Sequence, residues 1–292
     1  MEREVERIIT FLKAKPGYLK SGNEKLASYL KVNVKAVKKA KKHIKEGKNK
    51  VEVYRYDDKN DTFVTINTSK SKLDPNNVIF LPDLHAPFIR KGVLEWVKEQ
   101  QIKYNCGTVI FAGDVIDGHA WSYHEHDPDG LSVGDELAAA KMQLKPWFKA
   151  FPEAIVLMGN HDLLIQRKAK TIGLSKHFIK GFGEVIGAPS SWKFMLEYTK
   201  DNVLYKHGNA GDAFKVAKES RISTCQGHFH AKTFVQWSVS EKDAIFGLQV
   251  GWAADRHAYA FDYGKPFANK PIISCGIILD RGLTPIVKLM PL

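Results

Sequence analysis

The chain has 292 residues, 44% of them apolar and 26% charged, with a formal net charge of +12. That length accommodates one large domain and a small one, and the composition is globular, which argues against a disordered or collagen-like chain. No apolar run approaches the roughly 20 residues needed to span a bilayer, and Met1-Glu2-Arg3-Glu4 does not read as a signal peptide, so a cytosolic setting without membrane contact is expected.

The charge is unevenly placed. Residues 1–50 hold 15 Lys/Arg against 5 Asp/Glu, and the rest of the chain holds 29 against 27. This asymmetry implies a basic module that meets a polyanion, joined to a near-neutral body. Cys106, Cys225 and Cys275 stand singly in apolar or β-like runs and read as reduced core residues, not as a disulfide framework.

In chain order, Val5, Ile8, Ile9 and Leu12 have helical spacing over residues 2–14, and Pro16-Gly17 ends that pattern. Asn23 reads as the cap of a second helix through Leu30, with Leu26, Ala27 and Leu30 on one face. After Lys31-Val32-Asn33, a third helix runs from about Val34 to Lys45, with Val37, Ala40 and Ile44 inward. Lys35, Lys38, Lys39, Lys41, Lys42 and Lys45 fall on its other face. Ala27, Val32, Val37 and Ala40 occupy the packing positions of a helix-turn-helix, which the stretch resembles. Lys31 departs from that pattern, which usually has Gly there. Two alternating runs, 51–56 and 62–66, flank a polar turn and predict a hairpin. Three helices and a hairpin resemble a winged helix. The lysine face then implies nucleic-acid binding, DNA more than RNA, through phosphate contact and not base readout. A lysine-rich bundle with a solvated face is the competing reading. The domains are therefore expected at 1–66, with a linker at 67–76 (Asn-Thr-Ser-Lys-Ser-Lys-Leu-Asp-Pro-Asn), and at 77–292.

From residue 77 the pattern alternates. Apolar strands at 78–82, 108–112 and 154–158 are separated by helical stretches near Val93–Val97 and 132–150, an order that gives an α/β domain with a largely parallel sheet. Past residue 200, short strands at 203–206, 222–226, 232–239, 244–250, 271–279 and 284–289 predict a second, mixed or antiparallel sheet.

The chemistry-bearing residues sit in five clusters: Asp83-x-His85, Gly113-Asp114-x-x-Asp117, Gly159-Asn160-His161-Asp162, His207-Gly208 and Gly227-His228-x-His230. The first three each end an apolar strand, where open α/β sheets place ligands. Their order and residue types resemble the calcineurin-like metallophosphoesterases over about residues 77–290. That resemblance implies a four-layer α/β/β/α sandwich and two divalent metal ions. It implies that Asp83, His85 and His230 hold one ion, that Asn160, His207 and His228 hold the other, and that Asp114 bridges them. His161 would face the leaving-group oxygen as its proton donor, or contact the phosphate, and Asp117 would hydrogen-bond His161. Asp162 reads as a turn or cap residue. Imidazole and carboxylate together suit transition metals, manganese first, with iron or zinc as alternatives. A metal pair about 3.5–4 Å apart is a known solution to attack by an anionic nucleophile on an anionic phosphate ester.

Gly118-His119 follow Asp117 where the protein phosphatases of this superfamily carry Arg-Gly, and Asp162 stands where they carry Glu. The chain therefore resembles the phosphodiesterase and nuclease branches, and stretches near His207 and Gly251 resemble phosphoesterases encoded by phages, which implies the cytosol of a bacterium or infected host. In loop 119–130, Trp121 and Tyr123 would either stack on a base or pack, and His119, His124 and His126 would rim the site. The expected activity is metal-dependent phosphodiester hydrolysis, of nucleic acid in particular. Phosphomonoester hydrolysis, and a nucleic-acid-binding regulator with a vestigial phosphoesterase body, are the alternatives.

Overall fold

The computed structural model describes residues 5, 8, 9, 11, 12, 18, 20–57, 62–69, 73–123, 127–264 and 268–291, with backbone alone at 43, 45–57, 62–69 and 262–264. The chain divides into two compact units, Met1–Lys72 and Leu73–Leu292.

In the first unit, α1 (Asn23–Leu30) and α2 (Val34–Asn49) are joined at Lys31, which takes φ 51°, the left-handed conformation that ends a helix. Glycine adopts that conformation at little cost, so the Lys that departs from the helix-turn-helix pattern still takes it. Leu26, Ala27, Ala36, Val37, Ala40 and Ile44 bury themselves with Val5, Ile8 and Leu12 in one apolar cluster, as their helical spacing requires. Lys35, Lys38, Lys39 and Lys42 are exposed. The side chain of Lys45, most of residues 2–14 and the hairpin turn 58–61 lie outside the described residues. Strands β1 (Lys50–Asp57) and β2 (Thr62–Ser69) pair antiparallel. Because β2 reaches Ser69 and the next strand begins at Asp74, strand occupies both ends of the stretch with linker composition.

The second unit is mixed α/β with two sheets. One has six strands in the order β13-β12-β3-β4-β5-β6: Thr284–Leu289, Ser274–Leu279, Asp74–Leu81, Cys106–Phe111, Ile155–Leu157 and Lys193–Met195. The other has the order β10-β11-β9-β8-β7: Phe234–Val239, Ala244–Gln249, Ser223–Gln226, Val203–Lys206 and Glu197–Lys200. The second sheet is mixed, as expected. One expectation fails: β12 and β13 do not join it but complete the first sheet, with β12 antiparallel to β3. The apolar run of β12 could serve either sheet, and its register against Val78–Phe80 decides the matter.

Alternation along the first sheet explains its continuous apolar runs. Ile79 and Leu81 face one cluster, with Val109, Phe111 and Val156. That cluster includes Val93, Trp96 and Val97 of α3 (Val93–Lys103) and Ala140, Leu144 and Trp147 of α4 (Val133–Ala150). Val78 and Phe80 face the opposite cluster, where Ile110 and Leu157 meet Tyr205, Cys225, Phe246 and Leu248 of the second sheet. Strands buried on both faces have no polar side to show. Each such Ile, Leu or Phe contributes about 1.5–3 kcal/mol on burial. Beyond β5 lie α5 (Leu164–Thr171) and α6 (Phe182–Ile186), and α7 (Ala213–Ser220) approaches β11 closely enough that a Cβ at Gly247 would meet the Phe214 backbone at 2.4 Å. All three cysteines are buried and free. Among the described residues, no helix is long and apolar enough to cross a membrane.

In the first sheet, β3, β4 and β5 run parallel, and in the second, β8, β9 and β11 do. The loops that follow these strands carry Asp83, Asp114, Asn160, His207, His228 and Trp252.

Candidate metal centre

Backbone bonds stitch these loops together before any side chain is considered. Leu84 and His85 donate to the Asp114 carbonyl at 3.1 and 2.8 Å, Ala86 donates to Val115, and Asp117 donates to Ala86. On the other side Gly227 donates to the His207 carbonyl, and Ala253 donates to that of Asp83. His85, Asp114 and His228 all have positive φ, at 53°, 44° and 71°. Non-glycine residues held there cost about 1–3 kcal/mol each and persist where the surroundings over-determine them. Two glycines make room for the carboxylates. A Cβ at Gly159 would lie 1.9 Å from Asp114 Oδ1, and one at Gly227 would lie 2.2 Å from Asp83 Oδ1.

The structure brings all seven expected ligands together. Asp83, His85, Asp114 and His230 form one group, and Asp114, His207 and His228 another, each with ligand atoms within 4.8 Å of one another. Asn160 Oδ1 joins the second group, 3.1 Å from His207 Nε2.

Hydrogen-bond partners fix the tautomers. His85 Nδ1 donates to Asp117 Oδ1 at 2.7 Å, which leaves its Nε2 lone pair 3.1 Å from His230 Nε2. His207 Nδ1 donates to the Ala112 carbonyl at 2.9 Å. Its Nε2 then faces Asn160 Oδ1, His228 Nδ1 at 3.2 Å and Asp114 Oδ2 at 3.2 Å. Asp114 Oδ2 is also 4.0 Å from His85 Nε2, so it stands between the two groups. Asp114 Oδ2 and Asp83 Oδ1 are buried without a hydrogen-bond partner among the described residues. Buried carboxylate oxygens without partners, facing imidazole lone pairs, form an acceptor-rich set whose missing element is positive charge. The donor set therefore fits a pair of divalent cations.

The electrostatics agree. Burial opposes ionisation of Asp114, yet the neighbouring His207 and His161 hold its carboxyl well below the usual range. Burial likewise disfavours charge on His207, but Asp114 and Asp83 outweigh it and push the imidazole up to about 10. Burial lowers His228 and His230, helped by the nearby imidazoles His207 and His85 respectively. The site attracts positive charge and leaves these two imidazoles neutral, the form that binds metal.

His161 adjoins the cluster, in a third group with His85 and Asp117 and with its ring centre 4.9 Å from that of His85. Its backbone N–H donates to Asp114 Oδ1 at 2.9 Å, and its Nδ1 bonds the Asp117 backbone carbonyl. One expected contact is thus redrawn: the Asp117 carboxylate serves His85, at 2.7 Å against 3.9 Å to His161 Nδ1, and only the carbonyl of Asp117 serves His161. Asp162 is a brace, as its turn-like setting suggests. Its oxygens accept from Val115 at 2.8 Å and Gly159 at 3.0 Å, and burial together with the Asp114 charge raises its pKa to about 7.

Several braces carry no sequence signal of their own. Glu136 on α4 is fully buried and accepts from the backbones of His119 and Ala120. Gln249 ties the Gln226 carbonyl to the Ala213 N–H. Trp252 stacks on His230 with ring centres 5.0 Å apart. In the rim loop Trp121 is buried and packs, whereas Tyr123 is exposed. His119 lies against Tyr259, and His124 and His126 lie outside the described residues.

The profile described as calcineurin-like phosphoesterase matches residues 77–257. Similar solved structures include three Vps29 chains. A single mutant from Entamoeba histolytica is 12% identical, with 74% of this chain and 99% of that one covered and a TM-score of 0.33. Vacuolar protein sorting 29 from Cryptosporidium parvum is 13% identical, with 73% and 96% covered and a TM-score of 0.37. Vps29 from Chaetomium thermophilum is 10% identical, with 73% and 96% covered and a TM-score of 0.35. No curated protein matches the chain.

Proposed function

The chain belongs to the calcineurin-like phosphoesterase family, and from that premise we propose that it hydrolyses phosphodiester bonds of nucleic acid with a pair of divalent transition metal ions, manganese in the first place. The observation that carries the two-metal reading is Asp114 Oδ2, buried, without a hydrogen-bond partner among the described residues and placed between His207 and His85. In this reading Asp83, His85 and His230 hold one ion, Asn160, His207 and His228 the other, and Asp114 both. Bound there, the ions supply charge neutralisation for the phosphate and a nucleophile at neutral pH.

The remaining steps fall to the chain. His161 Nδ1–H donates to the Asp117 carbonyl, so Nε2 is the atom free to face the leaving group, and the imidazolium form would give its Nε2 proton to the leaving-group oxygen and revert to the neutral Nδ1–H ring. Asp117 fixes the tautomer and orientation of His85. The diester preference is supported by Gly118-His119 after Asp117, which lacks the arginine of the protein phosphatases. We read the packing faces of the two sheets and their helices as the four-layer α/β/β/α order. We read the first unit as a winged-helix-like module whose Lys35, Lys38, Lys39, Lys42 and Lys45 contact backbone phosphates.

Turnover of bis(p-nitrophenyl) phosphate and of labelled single- and double-stranded DNA and RNA by the full chain with Mn²⁺ tests the activity. Hydrolysis of p-nitrophenyl phosphate alone would replace the diesterase reading with a monoesterase one. Replacing Lys38, Lys39 and Lys42 with alanine tests the module. Each duplex phosphate that is no longer neutralised should flatten the slope of log K against log salt by about 0.9. An unchanged slope would remove the module from nucleic-acid binding.

A further inference from the structure

Beyond the basic first unit, the second unit has a charge run of its own. Between Leu163 and Gly183 lie Arg167, Lys168, Lys170, Lys176 and Lys180 and no Asp or Glu, in a body whose charges otherwise nearly balance. Lys180 pairs with exposed Glu184. None of the other four has a carboxylate partner among the described residues. Large apolar side chains are exposed within the same stretch: Phe178 is 81% and Ile172 79% accessible. Tyr123, also exposed, lies 5.4 Å from the Arg167 guanidinium and 5.0 Å from Lys168 Nζ.

Two cavities join this surface to the site. One, about 480 Å³, is lined by Arg167, Lys170 and Lys176 together with Gln166 and Ile179. The second, about 210 Å³, is lined chiefly by apolar side chains, among them Ile116, Leu137 and Phe182, and also by His161. Gln166 and Ile179 line both, so the cavities are neighbours. The second is smaller than the roughly 300–1,000 Å³ of sites for drug-sized ligands, which suits one ring system and not a whole nucleotide.

We infer that Leu163–Lys180 is a track for single-stranded nucleic acid that leads to His161, with phosphates on its cations and one unpaired base in the apolar cavity beside His161. Four cations without a carboxylate partner among the described residues call for a polyanion. Exposed rings interleaved with them, and an apolar cavity at the end, call for planar apolar groups on that same polyanion. A single strand supplies both at every residue, through its backbone and its base faces. A duplex keeps its bases stacked and cannot enter the cavity without extruding one. The track deepens the nucleic-acid reading above and rests on it.

The test uses the full chain, an EDTA-containing buffer for binding and a fluorescent single strand of about 10 nucleotides, within the usual site size. The exposed residues of R167A/K170A/K176A lie outside the metal cluster. This variant should flatten the salt slope by about 2, at about 0.7 for each single-strand phosphate left without its cation, and raise KM on the same strand, with bis(p-nitrophenyl) phosphate turnover unchanged. F178A should weaken strand binding about 5- to 150-fold, the range for removing a stacking platform. Affinity and slope equal to those of the native chain in both variants would overturn the track. So would equal losses on duplex and single strand, or losses confined to anionic lipid vesicles. DNA and RNA strands run in parallel identify which sugar is accepted. A native chain that binds the strand through these residues but hydrolyses no diester sinks the phosphodiesterase reading and leaves the track standing.

Discussion

The two halves of the candidate metal centre use the same kind of donor and are braced differently. His85 donates to a carboxylate, Asp117, at 2.7 Å, and the His230 ring lies on Trp252. His207 donates to a neutral carbonyl, that of Ala112, at 2.9 Å, and its neighbour Asn160 is neutral as well. The first half thus has the Asp117 carboxylate to itself, while Asp83 stands among its donors and also reaches the second half, 3.8 Å from His207 Nδ1 and accepting from the His228 N–H at 2.7 Å. A carboxylate behind an imidazole raises its strength as a ligand, and a carbonyl does so less. Similar imidazoles can therefore make two unequal cation sites, and the first half should bind the tighter ion.

The largest effect should come from the residue common to both halves. Asp114→Asn removes the shared charge, so both ions should be lost and turnover should fall by more than the ~10²-fold upper end for an outer-sphere change. Two metals per chain by elemental analysis, with near-native turnover, would refute the shared role. The next effect should leave both halves intact. His161→Ala should keep its metal content and lose about 10²–10⁴-fold in turnover on poor leaving groups, the scale of general acid catalysis. An activated aryl diester, whose leaving group needs little protonation, should suffer less. Loss of metal in this variant would make His161 a ligand and redraw the halves.

How much of this contrast the sequence reveals depends on what each residue interacts with. The candidate ligands are legible because each stands in a short cluster, most at the end of an apolar strand, and strand order brings such ends to one edge. Asp83, Asp114 and Asn160 are of this kind. The braces are legible only when they act locally. Asp162 clips Gly159, three residues away, and its turn-like setting shows it. Glu136 and Gln249 act on backbone groups 16 to 36 residues away and look like ordinary polar residues of a helix and a strand. The partner of Asp117 is hidden for a related reason. His85 and His161 are both near it, and only the fold shows that Asp117 Oδ1 is 2.7 Å from one and 3.9 Å from the other. In the sheets, β12 reads as a strand but not as a member of the first sheet, because pairing across 195 residues leaves no mark in its own composition.

The smallest of these effects isolates the difference between the halves. Asn at position 117 has nearly the shape of Asp and keeps an amide oxygen that can accept from His85 Nδ1, so Asp117→Asn preserves the tautomer and removes only the charge behind it. Loss of such an outer partner usually costs about 10–100-fold in metal affinity. That loss should fall on one ion alone, since the His207 brace, the Ala112 carbonyl, is untouched. A Mn²⁺ titration of the native chain should show two unequal steps, and in this variant the tighter step should move toward the weaker one. His161 keeps its own bond to the Asp117 carbonyl, which the substitution leaves in place, so its role as acid should survive at saturating metal. If both steps weaken together, Asp114 couples the halves so strongly that they act as one site. If neither moves, the charge behind His85 does not set its strength as a ligand, and the inequality must come from Asp83.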